Sequence, residues 1–253
     1  GSYSSRVTVY VGNATLDAAK KLKAVLVEAA ATKFSCSVDA IECLGEAYCI
    51  KGSPEGALPF KDILDQALIG TGTLSVKGTY FVPREFQGTG KHRGAAVGSS
   101  PGYSYGVSAA EVSVDEDTGL VTIDKIWCAH DCGLAINPLS VEGQVQGGVW
   151  MGMAQALSEE TLYIDGLHMN PNFLDYRFPT IVESPDIEIK IIEPVDPNGP
   201  YGAKEASEGA LSSIVAAIAS AVKDATGVEM TEIPITPDRL LKALSDQPKK
   251  RAI

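Results

Sequence analysis

The run "EGALSSIVAAIASAVKDATG", residues 208 to 227, constrains the fold more than any other stretch. It has helical length, ends in glycine, and carries no charge apart from Glu208, Lys223 and Asp224. Such a helix is apolar on most of its surface, so the chain must supply a second layer to cover it. Gly227 is read as its left-handed stop. Directly before it, the Pro and Gly loop "GPYGAKEAS" brings Lys204, Glu205 and Glu208 to the point where the backbone enters the core. Two readings of the carboxylates stand side by side. They are partners of a helix N-terminus or solvated charge, or one of them is a general base whose pKa is raised by desolvation.

The covering layer is legible upstream. In "GYSYGVSAAEVSVDEDTGLVTIDKIWCAHDCG" two alternating runs flank the turn "EDTG", with Gly119 supplying the positive φ, so a hairpin is expected. "IEIKIIEPV" reads as a further strand. "NPLSVEGQVQGGVWMGMAQAL" reads as a helix starting at Pro138, and "TPDRLLKALSD" as a capped helix near the C-terminal end. In the first third, Asn13 is expected to cap a helix over "ATLDAAKKLKAVLVEAAATK", where Leu16, Ala19, Leu22, Leu26 and Ala29 recur at helical spacing. "CSVDAIECLGEAYCIKG" reads as a strand pair, "PFKDILDQALIG" as a short helix and "GTLSVKGTYFVP" as a strand. The irregular order of strands and helices gives an α+β class, with mixed sheets and packed helices. One domain over 1–253 is expected, divided into two subdomains near 83–135.

Composition sets limits on partners. The net charge of −11 comes without a basic patch, which excludes steering to a nucleic-acid backbone or an anionic membrane. An anionic ligand would be held by backbone amides and hydroxyls more than by lysines. No apolar run approaches the roughly 20 residues of a membrane span, and the first ten residues lack the features of a signal peptide, so a cytoplasmic location is expected. The five cysteines, Cys36, Cys43, Cys49, Cys128 and Cys132, form no framework and read as reduced thiols. They also cannot ligate a pair of iron–sulfur clusters. Beginning at Gly1 within what looks like an element, the chain is expected to be a fragment or one piece of a split polypeptide.

Several segments could carry chemistry. "CAHDCG" tempts as a metal site but lacks the second pair of ligands zinc sites use, so a strand ending in a turn is the simpler reading. His92 and His168 lie in polar loops. The chain has no P-loop and no GxGxxG after a strand, "GTGKHRG" is read as a surface turn, and no hydrolase elbow is expected. Glycines 143, 147, 148 and 152 are costly inside a helix, at about 1 kcal/mol each relative to alanine. They imply close approach, either of another backbone or of a flat ligand. Gln144 and Gln146 sit among them, with amides able to pair with a heterocycle edge. "GSYSSR" concentrates hydroxyls, a phenol and a guanidinium, as a cradle for phosphate or a polar ring or as a solvated loop.

Taken in order, "SYSSRVTVYVGNA", "GTLSVKGTYFVP", "YSYGVSAAEVSVDEDTG", "HDCGLAINPLSVEGQVQGG", "NGPYGAKEASEG" and "IPITPDRLLKAL" resemble the C-terminal part of the molybdopterin-binding large subunit of the xanthine dehydrogenase family, the molybdenum hydroxylases. Within it the loops look most like 4-hydroxybenzoyl-CoA reductase and related bacterial enzymes. The resemblance implies that Ser2, Tyr3, Ser4, Ser5, Arg6 and Val7 contact the cofactor, that Gln144 faces the pterin, and that Lys204 belongs to the same loop contacts. It implies that Glu208, four residues beyond Lys204, is the base beside molybdenum, with Glu205 taking that role if the loop register differs. It further implies a molybdopterin cofactor in the cytosine dinucleotide form, [2Fe–2S] clusters and FAD on partner chains, and a remaining molybdenum-domain chain or segment. The substrate would be a small aromatic or N-heterocyclic compound or a CoA thioester, hydroxylated or reductively dehydroxylated. A scaffold or a molybdopterin insertion or storage protein of the same fold is the alternative.

Overall fold

The expected hairpin forms two of the three strands of the main sheet. In the computed structural model, which describes residues 2–86, 91–92, 95–96, 102–206 and 208–247, the chain divides into two units, Tyr10–Ser99 and Gly1–Val9 with Ser100–Ile253.

The unit Tyr10–Ser99 is built on α1 (Val7–Phe34), whose first residues count with the other unit. This helix begins six residues before the expected cap, so Asn13 lies inside it. The β-branched run from Val7 would favour a strand by propensity alone, and tertiary context overrides it. The strand pair is present as β1 (Ile41–Leu44) and β2 (Ala47–Ile50), extended by β3 (Leu58–Pro59) and followed by α2 (Phe60–Leu68). Leu26, Ala30, Ile41, Tyr48 and Ile63 form the core between them. The expected strand over 72–83 is not one. The segment runs along α1 instead, where Asp17 accepts from the Thr79 amide at 2.8 Å and Lys21 donates to the Lys77 carbonyl at 3.0 Å. Side chains thus take backbone groups that a ladder would have used. Gly78 permits this approach, since a Cβ there would lie 2.8 Å from Ala18. A two-residue ladder, β4 (Lys91–His92) with β5 (Ala95–Ala96), completes the unit; the rest of "GTGKHRG" lies outside the described residues.

In the second unit β6 (Gly106–Asp115) and β7 (Leu120–Asp131) pair antiparallel, and β10 (Asp186–Ile192) lies parallel to β7 on its other side. The Asp115 carboxylate takes the Asp117 and Thr118 amides at 2.9 and 3.1 Å, and Gly119, at φ 73°, closes the turn. A small ladder, β8 (Tyr163–Ile164) with β9 (Leu167–His168), stands between β7 and β10 in sequence, where His168 stacks on Tyr163.

Helices cover the sheet. α3 (Pro138–Leu157) has Pro138 in its first turn, as expected, and Asn137 caps it by accepting the Ser140 amide at 3.1 Å. The apolar run that opened the analysis is broken into α4 (Glu208–Leu211) and α5 (Ile214–Thr226). The break falls at Ser212 and Ser213, whose hydroxyls bond the Gly209 carbonyl at 2.9 Å and the Ser108 hydroxyl at 2.8 Å. Gly227 ends α5 in the left-handed conformation, and α6 (Pro237–Ser245) follows with Thr236 before it, without a side-chain cap bond. Ile126 and Cys128 of β7, Val145, Val149 and Met153 of α3, and Ile214, Ile218 and Val222 of α5 form the core.

The glycines of α3 separate by environment. A Cβ on Gly152 would lie 2.7 Å from Ile214, whereas at Gly143 and Gly147 nothing lies within 4 Å. Gly152→Ala is therefore expected to destabilise by about 1–3 kcal/mol through overpacking. Gly147→Ala is expected to stabilise by up to about 1 kcal/mol through helix propensity. Denaturant unfolding of the two variants checks the opposite signs.

Candidate functional site

The end of β7 and the loop before α4 are strapped together by backbone bonds. Gly133 bridges Ala203, the Lys204 amide donates to the Cys132 carbonyl at 2.7 Å, and the Leu134 amide donates to the Gly202 carbonyl at 2.9 Å. The loop reaches this place through a tight turn with Tyr201 at φ 55° and Gly202 at φ 90°, held by the Asp196 carboxylate on the Asn198 amide at 2.7 Å. A side chain in the left-handed region is strained, and such residues gather where geometry matters for function.

Side chains reinforce the strap. Lys204 is 8% exposed, and its ammonium pairs with the buried Asp131 carboxylate and donates to the Tyr103 carbonyl at 2.8 Å. The other Asp131 oxygen accepts the Gly133 amide at 3.0 Å. His130 is fully buried, with Nε2 3.2 Å from the Glu205 carbonyl and 3.3 Å from its carboxylate. Burial, reinforced by the Glu193 carboxylate, pushes the Cys132 thiol above its ordinary value, which keeps it protonated. "CAHDCG" is thus the end of a strand and the turn after it.

Beyond the strap the loop delivers Glu208 to the start of the chain. Ser5 Oγ donates to Glu208 Oε2 at 2.5 Å and accepts the Glu208 amide at 3.1 Å. One hydroxyl therefore fixes both the backbone and the carboxylate of the same residue, and Oε1 takes no hydrogen bond among the described residues. Ser4 and Ser5 stand at φ 59° and 48°, turning the chain just ahead of α1, and the Arg6 guanidinium lies 4.5 Å from the centre of the Tyr3 ring.

Glu208 is exposed on this chain, so the expected desolvation is not found within it. The run joins the core from Ala210 onward, and Glu208, at the first position of α4, lies just outside it. Lys204 also departs from expectation: its ammonium is turned inward to Asp131 and holds the loop instead of facing outward as a ligand contact. Gln144 is exposed, and it is Gln146 that lines a cleft of about 760 Å3 with Gly143, Gly147, Trp150, Phe178 and Ile187. The structure brings Ser5 to Glu208 and leaves Ser2, Tyr3, Ser4 and Arg6 exposed around them.

His130 and Asp131 are read from sequence only as part of "CAHDCG", a weak metal candidate, and not as anchors of the loop that carries Lys204 and Glu205. A usable signal was present, since alternation through Ile126 and Cys128 puts His130 on the core face, where a titratable group needs a partner. The GxSxG spacing of a hydrolase elbow does occur, as "GYSYG" at 102–106. It leads into β6 instead of turning from a strand into a helix, so it is no elbow.

Residues 1–185 match the family of the molybdopterin cofactor-binding domain. The chain is 42% identical over 140 residues to the putative xanthine dehydrogenase molybdenum-binding subunit XdhA of Escherichia coli, covering 54% of this chain and 18% of that protein. It is 31% identical over 247 residues to the nicotine 6-hydroxylase large subunit of Paenarthrobacter nicotinovorans, covering 96% of this chain and 29% of that one. Among solved structures, quinoline 2-oxidoreductase from Pseudomonas putida 86 superposes with a TM-score of 0.77 at 27% identity, over 98% of this chain and 31% of its own. The chain thus spans less than a third of the length of each of these relatives.

Proposed function

Since the chain belongs to the molybdopterin cofactor-binding domain family, we propose that it is the molybdopterin-binding part of a molybdenum hydroxylase in which Glu208 is the base. The observation that carries this reading is the Ser5–Glu208 pair, in which one hydroxyl donates to the carboxylate and accepts from the backbone amide of the same residue.

The residues present fit such a cofactor. Exposed hydroxyls, a phenol, a guanidinium and the Gln144 amide suit a polar heterocycle with phosphates, and the open faces of Gly143 and Gly147 leave room for a flat group. Ser2, Tyr3, Ser4, Arg6, Val7 and Gln144 would hold it, in the cytosine dinucleotide form. When bound, it would supply the redox centre, accepting two electrons in hydroxylation at carbon or donating two in reductive dehydroxylation. The chain's own part is to bind and orient, and to take a proton at Glu208 Oε1 while Ser5 keeps Oε2 occupied. Lys204 serves by holding the loop in place.

Names of the relatives support the rest of the reading. Nicotine and quinoline are N-heterocycles, which favours an aromatic or N-heterocyclic substrate here. The relative's name as a large subunit supports partner chains, which would carry the [2Fe–2S] clusters and FAD. Phe173, Leu174, Ile181 and Val182 are 84–91% exposed, a patch suited to cover by the remaining molybdenum-domain segment. No helix among the described residues is long and apolar enough to cross a membrane, and all five cysteines are free thiols, which fits a cytoplasmic enzyme.

Metal analysis of the purified complex, together with pterin fluorescence after oxidation, tests the proposal. Molybdenum and pterin in the same complex as cluster-bearing and flavin-bearing chains are the expected result. Their absence would leave the scaffold reading; pterin without redox partners would leave the insertion or storage reading.

A further inference from the structure

Glu205 stands three residues before Glu208 and could be taken for a second candidate base. Its surroundings differ in kind. Its side chain is 15% exposed and lies against the fully buried His130, with Nε2 3.3 Å from Oε1. Oε2 accepts the Gly209 amide at 3.5 Å. A Cβ at Gly209 would run into the Glu205 carboxylate and lie 2.7 Å from His130 Cε1, so the glycine is what lets these three groups close together. His130 Nδ1 is buried without a partner among the described residues. A hydrogen on Nε2 leaves only a lone pair unpaired there, the smaller cost, and makes Nε2 the donor to Glu205.

We infer that Glu205 is a positioning residue: anchored by His130, its carboxylate takes the Gly209 amide and fixes the backbone from which Glu208 projects. Glu208 is then held from both sides, by Ser5 on its own amide and by Glu205 on the next one. His130 is the rigid end of this chain of contacts, since it sits on a central strand paired on both sides, opposite Gly106 and Ile191. The inference rests on the reading of Glu208 as base, but part of its test does not.

The experiment compares Glu205→Ala, Glu205→Gln and Glu208→Gln in the intact molybdenum-containing complex. Glutamine can still accept the Gly209 amide or the imidazole N–H, whereas alanine can do neither. In Glu205→Ala, exchange of the amides of 208–211 should rise at least ~10-fold, because local opening is no longer opposed. Its kcat should fall by ~10-fold or more, with KM and molybdenum content little changed, since an interaction serving only the reacting geometry is lost. Glu205→Gln should recover amide protection and keep kcat within ~10-fold of the parent. Unchanged exchange in Glu205→Ala would overturn the inference. So would loss of turnover in Glu205→Gln as deep as in Glu208→Gln, since that marks Glu205 as a proton acceptor. If exchange behaves as expected but Glu208→Gln turns over normally, positioning by Glu205 stands and the base reading falls.

Discussion

Glu208→Gln is expected to lower turnover by at least ~100-fold while leaving molybdenum content unchanged, the lower range of what a positioned base contributes. Glutamine keeps the size of the side chain and can still accept from Ser5 Oγ at one atom, so the Ser5 contact seen at 2.5 Å survives the change. What it loses is the ability to take a proton at the second oxygen. The steady-state rate, set beside metal content in the same preparation, separates loss of chemistry from loss of cofactor. An active variant with full metal content would remove Glu208 from the reaction.

The second large effect concerns stability. Lys204→Ala is expected to destabilise the chain by about 3–5 kcal/mol, because it leaves the Asp131 carboxylate buried without its partner. That is a large share of the roughly 5–15 kcal/mol by which domains are stable. Replacing both members, as Lys204→Met with Asp131→Leu, should cost less than Lys204→Ala alone, since no charge is then stranded. Some loss remains in the double variant, as the Tyr103 carbonyl and the Gly133 amide lose their bonds to Lys204 and Asp131. Denaturant unfolding of the single and double variants decides it. If Lys204 instead serves mainly as a cofactor contact, the single variant will lose pterin and keep its unfolding midpoint.

Much of the second unit was legible because its elements obey strong local rules. Alternation and Gly119 gave the hairpin, Pro138 gave the start of α3, and Gly227 gave the end of α5. The misreadings came where side chains compete for backbone groups. Asp17 and Lys21 took polar groups of the segment 72–83 that was expected to pair as a strand, and Ser212 and Ser213 divided the expected single helix. The beginning of α1 failed for the opposite reason, since its β-branched residues argue against the helix they form. At the candidate site, spacing and resemblance singled out Glu208 and Ser5 but not the bonds between them. Nor could spacing tell that Glu205 turns toward His130 while Glu208 stays exposed, because that depends on the path of a loop with left-handed turns at Tyr201 and Gly202.

Ser5 and Glu208 are 203 residues apart, and the residues Tyr10–Ser99 that separate into their own unit lie between them in sequence. During synthesis the Ser5 hydroxyl leaves the ribosome before Glu208 and must wait for 203 further residues before meeting its carboxylate. A group whose loading depended on both segments could therefore not be enclosed until the later one had been made, so it could not guide the folding of the unit encoded between them.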